Sequence, residues 1–265
     1  MSLRIATWNV NSLRLRLDNV ERIVATLAPD VLCLQETKVQ DEHFPHERLR
    51  ELGYRHVLSY GMKSYNGVAV LSRLPFETPA RRAWCGRQDC RHAVVRLPGG
   101  VELHNFYVPA GGDLPDPAVN PKFAHKLQFL DEMTAWFAAG PRPTDRLILV
   151  GDLNIAPLES DVWSHKQLLD VVSHTPVEVA RLAALQRGLG WVDAVRHFVP
   201  PSEKLYSWWS YRARDWAASD RGRRLDHMWA TADIAANAVS HCVFEDCRSW
   251  LKPADHIPIM TEFQV

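Results

Sequence analysis

The sequence predicts a single α/β domain built on mixed β-sheets. Three observations carry this: 265 residues with 46% hydrophobic and 23% charged side chains, recurrent short apolar runs rich in β-branched residues, and helix-periodic segments between them. Large α/β sandwiches and barrels reach this length without splitting, and no linker, low-complexity tract or solenoid repeat divides the chain, so residues 1–265 are expected to form one unit.

In chain order the strand-like runs are RIATWNV at 4–10, VLCLQE at 31–36, GVAVLS at 67–72, HAVVRL at 92–97 and VELHNFYV at 101–108. RLILVGD at 146–152, RLDHMWAT at 224–231 and AVSHCVF at 238–244 follow. Leu17, Val20, Val24 and Leu27 form one helical stripe that stops before Pro29, and a second helix over about 120–139 aligns Phe123, Leu127, Leu130 and Phe137. HAVVRL and VELHNF are joined by PGG as a hairpin, which argues for mixed rather than purely parallel sheets. The stretch 109–121, PAGGDLPDPAVNP, is a long loop, a feature often tied to function in compact domains.

Charge and cysteine content narrow the function classes. Lys+Arg and Asp+Glu both number 31, so no bulk positive field advertises a polyanionic partner, and any nucleic-acid surface has to be local. The opening MSLRIATWNV lacks the basic stretch, apolar run and cleavage site of a secretory signal, and no segment nears the roughly 18 apolar residues of a membrane span. A cytoplasmic protein without a membrane partner is expected. The five cysteines suit a reducing compartment; Cys85 with Cys90 and Cys242 with Cys247 are spaced as pairs, but Cys242 lies in the apolar run VSHCVF, which favours ordinary reduced thiols over a four-thiolate zinc site.

The informative feature is what stands at the strand ends. Asn9 and Asn11 close the first strand, Glu36 the second, Tyr107 the run VELHNFYV, and Asp152 with Asn154 the run RLILVGD; Asp226, Asp255 and His256 come with the last segments. Singly, these are ordinary turn, cap or ion-pair residues. Recurring at strand after strand, they point to a shared site able to bind a metal and move a proton.

The stretches WNVNSLR (8–14), LQETK (34–38), NGVAVLSR (66–73), NFYVP (105–109), GDLNIAP (151–157), SWWSYR (207–212), RLDH (224–227) and ADHIPI (254–259) resemble, in family order, the exonuclease III family of abasic-site endonucleases within the endonuclease/exonuclease/phosphatase superfamily. The resemblance implies a deoxyribonuclease I-like four-layer sandwich, two mixed sheets face to face with helices outside. It implies a metal-dependent DNA phosphodiesterase of base-excision repair, cutting 5′ to abasic sites, trimming 3′ ends, or both. Mg²⁺ is the expected ion, with Mn²⁺ as an alternative, and the expected partner is double-stranded DNA with abasic or 3′-end damage, bound by a monomer. By the same resemblance, Glu36 is the main metal carboxylate, Asn9 and Asn11 support the metal and its waters, and Asp255 is a second ligand. Asp152 orients or deprotonates the attacking water and Asn154 positions the phosphate, and both also count among the metal-site residues; His256 paired with Asp226 faces the phosphate oxygens, and Tyr107 lies near them. These types suit in-line phosphodiester attack, in which charge gathers on the non-bridging and leaving oxygens.

Segment 206–225 carries Arg212, Arg214, Arg221, Arg223 and Arg224 against Asp215 and Asp220, a local excess of three positive charges interleaved with aromatics. Such groups neutralise phosphates without reading sequence. Trp208 and Trp209, adjacent on a strand, must face opposite ways, and by family position Trp208 and Leu225 wall a pocket for an extrahelical abasic sugar. Two departures stand out: Arg223 replaces an aromatic or apolar pocket residue, and Ala110 replaces an amide side chain. Both bear on the balance between abasic-site incision and 3′ exonuclease or phosphatase activity. A phosphatase of small phosphoesters and a silent DNA-binding module are the competing functions.

Overall fold

A computed structural model describes residues 2–140, 142, 145–213 and 215–265. One sheet contains β1 (Ser2–Asn9), β2 (Val31–Gln35), β3 (His56–Tyr60) and β4 (Val68–Ser72). The second is built from β5 (His92–Arg96), β6 (Glu102–Tyr107), β7 (Leu147–Asp152), β8 (Val192–Asp193) and, beyond the short ribbon of β9 (Trp208–Trp209) and β10 (Gly222–Arg223), β11 (Asp226–Ala230). The chain then returns to the first sheet with β12 (Ala238–Val243) and β13 (Ile259–Gln264). The first sheet has the order β12-β13-β1-β2-β4-β3 and the second β5-β6-β7-β11-β8, with parallel and antiparallel pairs in each.

Side chains alternate across each strand, which sorts the core into layers. Ile5, Cys33 and Val70 of the first sheet share a buried cluster with Leu103, Ile148, Val150 and Met228 of the second. On the outer faces, Ala6, Trp8 and Leu34 pack with Val20 and Ile23 of α1 (Leu17–Leu27), near the short α2 (His46–Glu51). Phe106, Leu149 and Trp229 pack with Phe129, Leu130 and Phe137 of α3 (Pro121–Ala139). This is the expected four-layer sandwich, and burial of both sheet faces explains why VLCL and LILV read as unbroken apolar runs.

Helix ends follow local chemistry. Asn120 caps α3 ahead of Pro121. After the single turn α4 (His165–Leu168), α5 (Pro176–Leu189) opens on a Thr175–Glu178 capping box and closes on Gly190 in the left-handed region. The remaining helices, α6 (Trp216–Ser219) and α7 (Ala232–Ala235), are single turns. Every strand and both helices expected from the pattern are present to within a residue or two. The pattern does not single out β3 or β13, although β13 lies beside β1 in the middle of its sheet. Its residues Ile259, Thr261 and Phe263 alternate with Met260, Glu262 and Gln264 directly after Pro258, so no continuous apolar run marks it.

Polar residues pin the two sheets to one register. Asn105 of β6 donates from Nδ2 to the carbonyls of Leu34 (3.0 Å) and Ala69 (2.9 Å), and its Oδ1 accepts from Gln35 Nε2 at 2.6 Å. Slipping either strand by one residue would strand these buried groups, each loss costing about 1–3 kcal/mol. Gly151, at φ 133°, is required where β7 pairs with Phe106 of β6: a Cβ there would stand 1.9 Å from the Phe106 carbonyl oxygen.

His227, on β11, is wholly buried and bonds through Nε2 to the Ile155 carbonyl at 2.8 Å. Burial, then the Arg224 charge, holds its pKa down to about 4. The unfolded chain therefore takes up a proton near pH 6.5 that the folded chain refuses until about pH 4. Stability present above pH 6.5 is lost as pH falls through this window, by about 3 kcal/mol for this residue. Urea titrations of wild type and His227→Gln at pH 7 and 4.5 should show the smaller acid loss in the variant; equal losses would contradict the assignment.

Candidate active site

Strand register gathers the site. β1 and β2 are parallel with Asn9 opposite Gln35, so Glu36 emerges beside Asn9. In the other sheet Tyr107 stands opposite Asp152 on parallel β6 and β7, and Asp226 opens antiparallel β11 opposite the same Asp152. The loop before β13 adds Asp255 and His256, tied back by Trp8 Nε1 donating to the His256 carbonyl at 3.0 Å. Glu36 and Asn154 adopt positive φ, 51° and 55°, turning the chain sharply just past β2 and β7.

Asn9 joins the two halves. Its Nδ2 donates to Glu36 Oε1 at 3.0 Å and to Asp152 Oδ2 at 2.8 Å, while its Oδ1 accepts from the Asn11 backbone N–H at 3.1 Å. Glu36 also accepts from the Tyr107 hydroxyl at 2.9 Å, and its Oε2 meets Lys38 Nζ at 2.7 Å. Burial pushes the Glu36 carboxyl up, but Lys38, Asn9 and the His256 charge outweigh it and hold it below the ordinary value. Tyr107 is held well above its usual range by burial and then by the Glu36 and Asp152 charges, so it stays a phenol donor.

Asp152 is 1% exposed and accepts from the Asn154 N–H at 2.9 Å and from Asn154 Nδ2 at 3.1 Å. Burial raises its pKa to about 7, against the lowering pull of His256 and with a further push from Asp226. Asp226 Oδ2 accepts from His256 Nδ1 at 2.8 Å and from Ser207 Oγ at 2.7 Å; His256 Nε2 is directed to the Asp152 side, 3.7 Å from Oδ2. Burial works against the imidazolium, yet the Asp226 and Asp152 charges raise its pKa to about 10, leaving it cationic at neutral pH. Asp255, held below its usual value despite burial by His256 and by bonds from Asn11 and Trp208, accepts from Asn11 Nδ2 at 3.0 Å and Trp208 Nε1 at 3.1 Å.

Beneath Asn154 lies the buried pair Lys126–Glu178 at 2.5 Å, with Lys126 Nζ also donating to the Asn154 carbonyl at 2.8 Å and the Ala110 carbonyl at 3.2 Å. This ties the long loop after β6 to the catalytic turn after β7. A cleft of about 560 Å³ opens beside the cluster, lined by Glu36, Asn154, His256, Trp208, Leu225 and Arg223.

The donor set fits an oxygen-seeking divalent cation. Glu36, Asp152, Asp226 and Asp255 converge, with Lys38 and His256 as their ion-pair partners among the described residues, and Asp226 Oδ1 is buried with no hydrogen-bond partner among them. Among the described residues Asp152, Asp226 and His256 bring ligand atoms within 4.8 Å of one another, but the His256 ring is protonated and spent on Asp226. Glu36 is the better ligand: its Oε2 and Asn11 Oδ1 both contact the Lys38 ammonium, the latter at 2.7 Å, so a positive charge already sits between their oxygens.

All nine residues proposed for metal and proton chemistry thus meet at one end of the sandwich. Trp208 and Trp209 do face opposite ways, Trp208 into the cleft and Trp209 into the core at 2% exposure. Leu225 is buried with Ala156, Val162 and Leu168 at the cleft wall. Arg212 and Arg221 are exposed at its rim, and Arg214 lies outside the described residues. Arg224 corrects the sequence reading: it is 3% exposed and paired with Asp161 (2.8 Å) and Asp193 (2.6 Å), an interior brace rather than part of the basic surface. Sequence reasoning assigned no role to Lys38 or Ser207, though both fall inside the LQETK and SWWSYR stretches, nor to Tyr211, whose hydroxyl accepts from Arg16 at 2.8 Å.

Two face-to-face mixed sheets with a buried carboxylate, imidazolium and amide cluster at one end define a phosphoester-cleaving sandwich. The chain belongs to the endonuclease/exonuclease/phosphatase family, whose model it matches over residues 6–256, and within it to the exonuclease III branch. It is 30% identical to exodeoxyribonuclease III of Haemophilus influenzae, over 99% of this chain and 100% of that protein. An AP endonuclease from Archaeoglobus fulgidus superposes with a TM-score of 0.91 at 31% identity, covering 99% of this chain and 100% of the other. A 3′ phosphatase from Neisseria bound to a product DNA hairpin superposes with a TM-score of 0.88 at 30% identity and the same coverage.

The His256–Asp226 pair gives a direct test. Histidine ¹⁵N NMR of the metal-free protein should show His256 doubly protonated at pH 8, losing its proton only near pH 10. Asp226→Asn should bring that titration down toward the ordinary histidine value, and an unmoved titration would contradict the pairing.

Proposed function

We propose that this chain is a divalent-metal-dependent DNA phosphodiesterase of base-excision repair, incising 5′ to abasic sites and removing nucleotides or blocking groups from 3′ ends. The observation that carries the reading is the Asn9 amide holding Glu36 and Asp152 together opposite the His256–Asp226 pair. Mg²⁺ is the proposed ion, with Mn²⁺ able to replace it, held by Glu36 with support from Asn9, Asn11 and Asp255. When bound, the ion supplies positive charge to the phosphate oxygens. Asp152, with a pKa of about 7, accepts a proton from water near neutral pH. Its bonds from Asn9 and Asn154 orient it, the His256 cation stabilises charge on the phosphate oxygens, and the Tyr107 phenol, donating to Glu36, holds that carboxylate near the phosphate. The proposed working unit is a monomer in the cytoplasm; no helix among the described residues is long and apolar enough to cross a membrane.

A second reading, in which 3′-end processing predominates, is favoured by Arg223. Its Nη1 donates to the Val172 carbonyl (3.0 Å) and Ser173 Oγ (2.8 Å), and its guanidinium lies 5.3 Å from the Trp208 ring centre. A cation fixed in the wall narrows the space for a neutral abasic sugar and attracts a terminal phosphate dianion.

Two duplexes separate these readings, one with a central abasic-site analogue and one with a recessed 3′ end carrying or lacking a phosphate, each in Mg²⁺ and in excess chelator. Both activities should vanish in chelator, and Glu36→Gln, Asp152→Asn and His256→Asn should each lower turnover by at least about 10²-fold while remaining folded. Arg223→Leu should shift the ratio of activities toward abasic-site incision. A folded Asp152→Asn protein with unchanged metal-dependent cleavage contradicts the mechanism, and preferential hydrolysis of a small phosphoester contradicts the substrate.

A further inference from the structure

The segment 81–92 builds a second basic cavity, of about 250 Å³, lined by Arg81, Arg82, Arg87 and Arg91 with Trp84 and His92. In a chain whose charges balance, its arginines are poorly neutralised. Asp89 is taken by Arg91 at 2.5 Å, and Glu132 accepts from the Cys85 N–H (2.8 Å) and Gln128 (3.2 Å). Arg81, Arg82 and Arg87, all three exposed, have no carboxylate partner among the described residues.

Two of these guanidinium groups are held over rings instead. Arg81 lies 4.3 Å from the Tyr60 ring centre and donates to Cys90 Sγ, and Arg82 lies 4.8 Å from the Trp84 ring centre. The segment is anchored, because Trp84 is 2% exposed and packs on Phe106, while Asn66 Nδ2 donates to the Asp89 carbonyl at 2.9 Å. The cavity stands back to back with the active site through a single residue. Arg91 Nη1 donates to the Tyr107 carbonyl at 3.3 Å and its guanidinium lies 4.8 Å from the Tyr107 ring, whose hydroxyl bonds Glu36.

We propose that Arg82 and Arg87, with Arg81, form a second phosphate-binding site for the backbone of the same DNA, on the other side of Tyr107 from the Trp208–Arg223 cleft. The inference rests on the DNA phosphodiesterase reading above. A strand whose phosphate lies at Glu36 and His256 runs on with neighbouring phosphates in both directions; Arg81 and Arg82, already held over rings, meet such a polyanion at reduced cost in side-chain ordering, and Arg87 adds a further charge on the same rim. The site serves affinity rather than chemistry, because it touches no reacting atom.

The test compares wild type, R82Q/R87Q and a charge-matched control, R142Q/R187Q, whose residues are exposed at the opposite end of β7 from Asp152. Binding of a fluorescent duplex is followed in chelator across a salt series, then KM and kcat in Mg²⁺. The slope of log K against log salt should fall by about 1–2 in R82Q/R87Q, since each lost phosphate contact removes about 0.9. KM should rise several-fold with kcat unchanged, R82K/R87K should restore the slope, and the control should match wild type. A slope and KM equal to the control overturn the second site while leaving the phosphodiesterase reading intact; a wild type that neither binds nor cuts DNA overturns both.

Discussion

The Asn9 amide is the interaction on which the site depends. One side chain, fixed by the Asn11 backbone, donates to a carboxylate from each sheet, Glu36 and Asp152. Those acids come from different layers of the sandwich, and without a donor between them the buried Asp152 and the half-buried Glu36 would face each other with no group to satisfy both. A neutral amide is suited to this, because it satisfies both oxygens without cancelling the charge that a metal ion needs.

The rest of the architecture serves that junction. Asn105 and Gln35 lock the sheets in the register that brings β1, β2, β6, β7 and β11 to a common end. Gly151 lets β7 approach β6 closely immediately before Asp152. Lys126 and Glu178 brace the Asn154 turn from below, and Ser207 and Asp226 set the His256 ring from the side. The electrostatic result is a polarised pocket: a buried carboxylate whose proton affinity lies near neutrality beside an imidazolium that keeps its proton. Pushing two proton affinities apart in this way separates the acceptor of a proton from the stabiliser of an anion.

Much of this was legible in the sequence because the site residues sit at the ends of apolar runs, where a strand must stop and a polar side chain needs a reason to be. Glu36, Asp152 and His256 were marked by their motifs, and the helical stripe of α1 by its spacing. Three features were not legible, each because it depends on a partner distant in sequence. β13 alternates too weakly to announce a central strand, and only its pairing with β1 and β12 makes it one. Arg224 sits in a run of arginines yet points inward to Asp161 and Asp193, which no local charge count distinguishes from a solvated neighbour. The double donation of Asn9 spans 143 residues to Asp152; the sequence marked Asn9 as a metal support, whereas its amide also joins the sheets.

The role of the Asn9 amide is tested by Asn9→Ala, measured for cleavage of a duplex bearing an abasic-site analogue in saturating Mg²⁺ and for thermal stability in chelator. The predicted result is a folded protein whose turnover falls by about 10²-fold or more, because Glu36 and Asp152 lose their common donor. A folded variant with turnover near wild type would show that the two carboxylates hold their positions without Asn9 and that its amide does not organise the site.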